Sequence, residues 1–319
     1  MHRVFRKLLE DATGLSEFVI VVNLDIRGFS SFSKQVESPD VAMFIKKVYA
    51  KLIDDYFPDA SFFKSTGDGL LITILYKKED LQSKAEKTID SCFRALTDFG
   101  AFCTKDPMIN FEVPTKLGIG LSRGTACRLV SKEQTLDYSG RVLNLASRLM
   151  DFARPTGIVF DAGFDIELLS DEQIKSFAKD TVYIKGIARE EPIEIYYTKE
   201  LTRIPPLNKQ PLDKVKWDSC KQTLTLRQIK DYPERFVYSL ETEPLDPTQV
   251  KVKVTFPGVV RGRKRKDFES LFDFSNFEYS SEAGKPVVVL DFASLAKRLE
   301  TSGVKDSWEV NIEITYPSR

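Results

Sequence analysis

Two aspartates stand beside glycines at points where apolar segments of the chain meet turns. Asp25 follows the apolar run at residues 18–22, and Asp68 comes just before the apolar run at residues 70–75. The two runs predict buried strands, which places both carboxylates at strand ends. Carboxylates on neighbouring strand ends can share divalent cations, and Gly28 lets backbone N–H groups approach a triphosphate closely. The pattern predicts a two-metal phosphate site, although either aspartate alone is also explained as an ordinary turn residue.

The scarcity of histidine restricts the available chemistry. His2 is the single histidine, which excludes a histidine general base, a Ser-His-Asp triad and a histidine-rich metal centre. The four cysteines are widely spaced, without a Cys-x-x-Cys pair, so the sequence predicts neither a zinc site nor a disulfide framework. Catalysis by this chain has to use carboxylates, Lys, Arg, Asn or a metal.

The charge of the chain is balanced. Lys and Arg total 47, and so do Asp and Glu. This balance removes any global electrostatic argument for binding nucleic acid or an anionic membrane. The first residues lack an apolar signal core, and no stretch reaches transmembrane length. We therefore expect a cytoplasmic protein that binds neither nucleic acid nor a membrane.

Hydrophobic periodicity predicts alternating helices and strands in the first two thirds of the chain. Helices are predicted at residues 41–53, 80–102 and 142–150, short strands at residues 157–160 and 194–197, and a hairpin around Ser122 and Arg123 joining strands at 116–121 and 124–130. Elements interleaved in this way predict an α+β fold, in which helices pack on a mixed sheet.

Chain length and a proline-rich segment predict two domains. The chain has 319 residues, more than a typical single domain, and prolines cluster at residues 205–211. We expect a first domain at residues 1–200, a linker at 201–214 and a second, small β-rich domain at 215–319. In the latter, strands are predicted at residues 250–256, 287–290 and 308–316 and a helix at 293–299.

A basic run at residues 261–266 is the strongest local charge in the second domain. Such a run can bind phosphate or nucleic acid, but a solvated hairpin tip has the same composition.

Five ordered motifs carry a resemblance to a known family. They lie at residues 24–30, 64–68, 116–124, 137–148 and 184–186, the last followed by Pro192. Over residues 18–197 the chain resembles the catalytic domain of class III nucleotidyl cyclases, the adenylyl and guanylyl cyclase family. The resemblance implies a ferredoxin-like sheet with helices in an α/β sandwich, a head-to-tail homodimer and active sites at the dimer interface.

The resemblance assigns the metal and phosphate positions to one protomer. Asp25 and Asp68 match the two metal-binding carboxylates, and the carbonyl of Ile26 matches a third ligand for two Mg²⁺ or Mn²⁺ ions. The phosphate-binding turn consists of Gly28, Phe29 and Ser30, whose backbone donors would hold the β- and γ-phosphates.

The other protomer would supply the remaining groups of each site. Asn144 matches the residue that orients the ribose, Arg148 the one that neutralises charge on the α-phosphate, and Lys185 the one that contacts the polyphosphate. Phosphoryl transfer is catalysed mainly by positioning and charge stabilisation, so metals and cations suffice without histidine. The 3′-hydroxyl would attack the α-phosphorus and pyrophosphate would leave.

The identity of the base is less clearly marked. Lys64 and Asp137 occupy the two positions that read the base, and this pair resembles adenylyl cyclases, which favours ATP. The neighbouring Leu136, Tyr138 and Ser139 depart from the usual pattern of the family.

The architecture points to another substrate. A short cyclase domain followed by a small β-rich domain resembles the pyrimidine cyclases of bacterial Pycsar antiphage systems, whose trailing domain resembles a sensor and whose product is read by a separate effector protein. We therefore predict that UTP is converted to cyclic UMP in antiviral defence, with cyclic AMP or cyclic CMP synthesis as alternatives.

Two other classes of function stay open. The chain could be a catalytically inactive, cyclase-like binding module, although Asp25, Asp68, Asn144, Arg148 and Lys185 are all present. It could also bind nucleic acid through residues 261–266, but the neutral net charge and the lack of an aromatic RNA-binding strand signature argue against this.

Overall fold

The computed structural model describes residues 9–104, 109, 111–232, 235–246, 249–257, 267–270, 278–282 and 285–318. The chain divides into two compact units, Met1–Ile204 and Pro205–Arg319. The basic run at residues 261–266 lies outside the described residues, so the structure does not bear on either interpretation of it.

The first unit is built on an eight-stranded mixed sheet. Its strands are β1 (Thr13–Arg27), β2 (Phe62–Ser65), β3 (Gly69–Leu75), β4 (Lys116–Ser131), β5 (Gln134–Ser139), β6 (Gly157–Asp161), β7 (Phe177–Ile184) and β8 (Ala188–Thr198). The order across the sheet is β2-β3-β1-β4-β6-β8-β7, and β5 pairs with β4 beside this path. The β4–β6 pair is parallel and the other pairs are antiparallel.

Helices connect these strands. They are α1 (Phe29–Gln35), α2 (Ser38–Lys51), which continues into a π-helical turn (Leu52–Tyr56), α3 (Leu81–Thr104), α4 (Arg141–Phe152) and α5 (Asp171–Lys175), with 3₁₀ turns at Ala162–Phe164 and Ile166–Leu168. The three helices predicted from the sequence are confirmed, and so is the α+β fold class. None of the described helices combines the length and apolarity needed to cross a bilayer.

From Val19 onward, strand β1 is buried on both faces and organises the first unit. Ile20 and Leu24 point into a core shared with α2 and α3. Val19 and Val21 belong to a second core, which contains the buried side of α4. Because successive side chains of a strand point to opposite faces, the same alternation puts Asp25 on the α4 side of the sheet.

The predicted hairpin at Ser122 and Arg123 is wrong. Both residues lie within β4, a single strand of 16 residues that pairs with β1 along nearly its whole length. The chain instead reverses at Lys132 and Glu133, whose φ angles of 50° and 68° suit a two-residue hairpin turn. Strands β4 and β5 flank this turn.

The glycines of β4 explain why the sequence suggested a turn. Gly118, Gly120 and Gly124 resemble turn signals, yet in the structure Gly118 and Gly120 provide room on the α4 side of the strand. A Cβ atom on Gly120 would lie 2.1 Å from the carbonyl oxygen of Ala146 and 2.2 Å from the amide nitrogen of Met150. Glycine at this position therefore lets the backbone of α4 approach the sheet closely.

The second unit is β-rich and contains two sheets. One has the order β10-β14-β13 and the other the order β12-β11-β15-β9. The strands are β9 (Lys216–Thr225), β10 (Arg235–Ser239), β11 (Lys251–Pro257), β12 (Asp267–Ser270), β13 (Glu278–Glu282), β14 (Lys285–Asp291) and β15 (Glu309–Ser318). The helices are α6 (Leu226–Asp231) and α7 (Phe292–Thr301), with a 3₁₀ turn at Pro206–Lys209.

The elements predicted in this region are confirmed, while four strands and α6 were not predicted. Strand β9 was not predicted because its residues alternate mostly between exposed and half-buried positions and give a weak apolar pattern. It is held by a ten-residue register with β15, from Thr225 opposite Glu309 to Lys216 opposite Ser318. Pairing with a distant strand, rather than apolar periodicity, makes this segment a strand.

Candidate active site

The structure brings Asp25 and Asp68 together. Asp25 lies near the end of β1, opposite Gly69 of β3, and Asp68 occupies the turn between β2 and β3. The amide of Ile26 donates to the carbonyl oxygen of Asp68 at 3.1 Å, which ties the turn to β1. Both carboxylates therefore belong to one small region, where the C-terminal end of β1 meets the turn between β2 and β3.

Their electrostatic interaction reflects this proximity. Burial raises the pKa of the Asp25 carboxyl, and the negative charge of Asp68 raises it further, while Arg27 and Arg154 act in the opposite direction. A carboxylate whose ionisation is opposed by a neighbouring carboxylate gains from a nearby cation. A divalent cation placed between them would relieve this repulsion.

The donor chemistry fits a hard divalent cation. The carboxylates of Asp25 and Asp68 and the carbonyl of Ile26 are all oxygen ligands, the type that Mg²⁺ and Mn²⁺ prefer. Among the described residues, no group of three or more His, Cys, Asp and Glu side chains is placed to hold a metal. A cation held here by two carboxylates and a carbonyl has coordination positions left for substrate phosphates and water, as is usual for Mg²⁺.

Tyr49 supports the turn that carries Asp68. Its hydroxyl lies 2.7 Å from the carbonyl oxygen of Gly67 and 2.8 Å from that of Gly69, the residues on either side of Asp68. Burial and the nearby charge of Asp68 raise the pKa of the Tyr49 phenol, so the neutral donor form is retained. The sequence reasoning missed Tyr49, because its role depends on α2 lying against a turn that is distant in sequence.

The predicted phosphate-binding turn begins with a left-handed residue. Gly28 has a φ of 83° and precedes α1, whose N-terminus has no side-chain cap. A side chain at position 28 would be strained in this conformation, which explains the glycine. Phe29 is half-buried against Phe32, with ring centroids 5.7 Å apart, and Ser30 is exposed.

Asn144 and Arg148 lie on the exposed side of α4. The opposite side of the helix carries the buried Leu145 and Leu149, so the two polar residues point away from the sheet. The Nη1 atom of Arg148 lies 3.8 Å from Oδ2 of Asp151, an exposed ion pair that a ligand can replace at small cost. Both side chains are therefore available to a group outside the protomer.

Lys185 occupies an exposed turn between β7 and β8. It precedes Gly186, whose φ is 82°. The neighbouring Ile184 and Ala188 belong to the same apolar cluster as Leu145, on the buried side of α4. The core thus holds the turn of Lys185 beside the helix that carries Asn144 and Arg148.

Lys64 and Asp137 are bonded to each other. The Nζ atom of Lys64 lies 2.5 Å from Oδ2 of Asp137, and Oδ1 of Asp137 accepts from the amide of Tyr138 at 2.9 Å. Beside this pair, the rings of Phe62 and Tyr138 have centroids 5.4 Å apart. The hydroxyl of Tyr138 bonds to Glu17 at 2.7 Å, which fixes the strand that carries Asp137.

One protomer does not assemble all the predicted site residues. Asp25 lies on the sheet surface beneath α4, whereas Asn144 and Arg148 project from the far side of that helix.

Arg27 is a further residue that the sequence reasoning missed. Its buried guanidinium donates to the Asp25 carboxylate at 2.6 Å. The signal was available in the strand period, since residues 25 and 27 must share a face of β1.

The family model of the adenylate and guanylate cyclase catalytic domain matches residues 14–200. No curated protein matches the chain.

Solved structures of cyclases also match the chain. The guanylyl cyclase Cya2 is 19% identical, with a TM-score of 0.47 over 59% of this chain and 98% of that chain. The adenylyl cyclase CyaB from P. aeruginosa is 18% identical, with a TM-score of 0.47 over 60% of this chain and 98% of that chain. The guanylate cyclase domain of RhGC from Catenaria anguillulae, in complex with GTP, is 14% identical, with a TM-score of 0.44 over 59% of this chain and 100% of that chain.

Proposed function

Because this chain belongs to the adenylate and guanylate cyclase catalytic domain family, we propose that it converts UTP to 3′,5′-cyclic UMP and pyrophosphate. The observation that carries cyclase chemistry is the pairing of Asp25 with Asp68 at one edge of the sheet. Two neighbouring carboxylates with a glycine turn beside them can receive a metal-bound triphosphate. In the proposed role the product is a second messenger of antiviral defence in the cytoplasm, read by a separate effector protein.

The proposed enzyme is a homodimer with two composite sites. In each site, one protomer supplies Asp25, Asp68 and the turn at residues 28–30, and its partner supplies the exposed face of α4. The exposure of Asn144 and Arg148, on the side of α4 away from Asp25, supports this division. A head-to-tail arrangement satisfies both sites at once, as twofold symmetry requires.

Each group has a separate part in the proposed reaction. Two Mg²⁺ or Mn²⁺ ions, bound by Asp25, Asp68 and the Ile26 carbonyl, would supply charge neutralisation at the triphosphate. Asn144 holds the ribose so that its 3′-oxygen lies in line with the α-phosphorus. Arg148 donates to the α-phosphate as negative charge develops there.

Lys185 completes the site on the leaving-group side. Its ammonium would neutralise the departing pyrophosphate, for which an exposed lysine on a short turn has the necessary reach. No step requires a histidine, consistent with the composition of the chain.

The proposed base contacts use both members of the Lys64–Asp137 pair. Uracil presents a carbonyl oxygen next to an N–H group, which match the ammonium of Lys64 and the carboxylate of Asp137. The other bases also offer neighbouring donors and acceptors, so this pair accommodates more than one of them. The choice of UTP rests on the arrangement of the chain, a short cyclase domain with a small β-rich domain after it.

A product assay tests the proposal. ATP, GTP, CTP and UTP are supplied separately with Mn²⁺, and the products are identified by mass spectrometry. We expect cyclic UMP and pyrophosphate in equal amounts. Cyclic AMP or cyclic CMP as the sole product would overturn the choice of UTP, and no cyclic product from any nucleotide would overturn cyclase activity.

A further inference from the structure

Arg27 is a buried cation beside a candidate metal ligand. Its side chain is only 7% exposed, and Nη1 donates to Oδ2 of Asp25 at 2.6 Å. Nη2 donates to the carbonyl oxygens of Met150 and Ala153, the latter at 3.0 Å, and Nε donates to Ala153 at 3.3 Å. One guanidinium therefore bonds both to the Asp25 carboxylate and to the C-terminal end of α4.

The contacts with α4 keep this charge in place. The carbonyls at a helix C-terminus carry partial negative charge, so they bind a cation favourably. The planar guanidinium satisfies them and the carboxylate at the same time, which the single ammonium of a lysine cannot do with equal geometry. Arg27 is thus held next to Asp25 by groups that are independent of Asp25.

Gly118 provides the space that Arg27 occupies. It lies opposite Asp25 on β4, and a Cβ atom there would be 1.8 Å from Nη2 of Arg27. Cζ and Nε of Arg27 would lie 2.2 Å and 2.3 Å from the same Cβ atom, so an alanine at position 118 requires the guanidinium to move.

We propose that Arg27 makes the site select the metal–nucleotide complex over the free divalent cation. Its fixed positive charge repels a cation at Asp25, and its hydrogen bond occupies one oxygen of that carboxylate. A nucleoside triphosphate carries several negative charges, which offset this repulsion when cation and nucleotide arrive together. Arg27 is then a residue that determines ligand specificity, and this inference rests on the proposed function.

Arg27 affects cation binding at Asp25 in two opposite ways, and the larger effect decides whether its removal strengthens or weakens binding. Holding a carboxylate in one orientation favours metal binding, whereas a neighbouring positive charge opposes it. In a partly buried site the charge effect on a divalent cation is the larger one, because Coulomb interactions at short range are weakly screened there. Removing the charge is therefore expected to strengthen binding of the free cation.

The test measures Mn²⁺ binding without nucleotide, by calorimetry or by the electron paramagnetic resonance signal of free Mn²⁺. The Arg27→Met variant is expected to bind Mn²⁺ at least about tenfold more tightly than the wild type. Arg27→Lys, which keeps the charge, is expected to stay within about threefold of the wild type. Adding Asp25→Ala to Arg27→Met is expected to abolish the gain, which assigns the binding to Asp25.

Gly118→Ala provides an independent test in a chain that retains Arg27. Displacement of the guanidinium is expected to tighten Mn²⁺ binding, as Arg27→Met does. This variant therefore tests the role of Arg27 even if Arg27→Met does not fold. The matched control is Gly124→Ala on the same strand, where a Cβ atom would have its nearest neighbour at 3.7 Å. This control is expected to bind Mn²⁺ as the wild type does.

The results separate this inference from the proposed function. Mn²⁺ binding by Arg27→Met and Gly118→Ala that is unchanged or weaker than that of the wild type would overturn the inference, even if wild-type protein cyclises a nucleotide. Failure of wild-type protein to make any cyclic product would instead overturn the proposed function, whatever the variants bind.

Discussion

Lys64 and Asp137 form an ion pair across two strands that are not neighbours in the sheet, with Nζ and Oδ2 2.5 Å apart. Their side chains are 49% and 38% exposed, so a nucleotide base can reach the pair. An ion pair this exposed contributes at most about 1 kcal/mol to folding. The pair is therefore better suited to recognition than to stability.

Lys64 and Asp137 should act as one unit toward the substrate. We expect Lys64→Ala and Asp137→Ala each to lower kcat/KM by about 10- to 100-fold, since hydrogen bonds to charged groups contribute about 1.5–3 kcal/mol. The double variant should lose less than the product of the two effects, because each single change already leaves the partner unpaired. This double-mutant cycle is measured by steady-state kinetics of the wild type and the three variants with the preferred nucleotide.

The exposed pair Lys179–Glu194, with atoms 2.6 Å apart, serves as the control for this cycle. Lys179→Ala removes a comparable ion pair and should leave kcat/KM unchanged. Strictly multiplicative losses at Lys64 and Asp137 would mean that the two residues do not recognise the base together.

A shared active site predicts complementation between inactive variants. Asp25→Ala and Arg148→Ala should each be inactive as homodimers. Mixing equal amounts should restore about a quarter of wild-type activity, because half of the randomly formed dimers are heterodimers with one intact site. The measurement is product formation after co-refolding or co-expression. Mixed dimers that are shown to form but make no product would contradict a composite site.

The carboxylate of Asp68 should be essential for turnover. Asp68→Asn keeps the size of the side chain but removes a charged metal ligand, so we expect kcat to fall by at least about a hundredfold. Asp59, an exposed aspartate shortly before β2, is the control, and Asp59→Asn should retain full activity. Substantial activity of Asp68→Asn at saturating Mn²⁺ would rule out the two-carboxylate metal site.

Close packing of α4 on β4 should make Gly120 intolerant of a side chain. Gly120→Ala forces the α4 backbone away from the strand and should cost about 1–3 kcal/mol of unfolding free energy. Activity should fall as well, since α4 carries Asn144 and Arg148. Chemical denaturation of this variant and of Gly124→Ala provides the comparison, and equal stability of the two variants would contradict the packing argument.

Asp161 should give stability a measurable dependence on pH. Burial raises the pKa of its carboxyl above the ordinary 3.8, against the opposing hydrogen bonds from Ser122 and Gly163 and the charge of Arg123. A folded-state pKa above the unfolded value means that the favourable contribution is present at low pH and is lost as pH rises through the folded pKa.

Asp161→Asn should therefore be more stable than the wild type at pH 7. The advantage should shrink as pH falls toward 3.8, where the wild-type carboxyl becomes neutral too. An asparagine oxygen can still accept from the amide of Gly163, as Oδ2 of Asp161 does at 2.9 Å. Thermal unfolding across this pH range measures the difference.

Local patterns determined much of the first unit. The apolar run before Asp25 and the helical spacing at residues 142–150 each predict an element without reference to the rest of the chain. The order of the motifs was enough to assign roles to Asp25, Asp68, Asn144 and Arg148 as predictions, because motif spacing is itself a property of the sequence. The prediction of a hairpin at Ser122 and Arg123 was wrong for the same reason. A glycine that close packing requires has the same local sequence signal as a glycine that a turn requires.

The tertiary structure alone decided how these residues meet. Arg27 bonds to Met150 across 123 positions of sequence, and Lys64 bonds to Asp137 across 73. Neither contact has a local signature, because each depends on where β4, β5 and α4 lie over the sheet. The sequence by itself thus predicted a phosphate and metal chemistry, whereas the fold decided that Asp25 faces the guanidinium of Arg27 and that Asn144 and Arg148 face outward. The physical reason is that residue type and period are local, while burial and charge pairing depend on segments that only folding brings together.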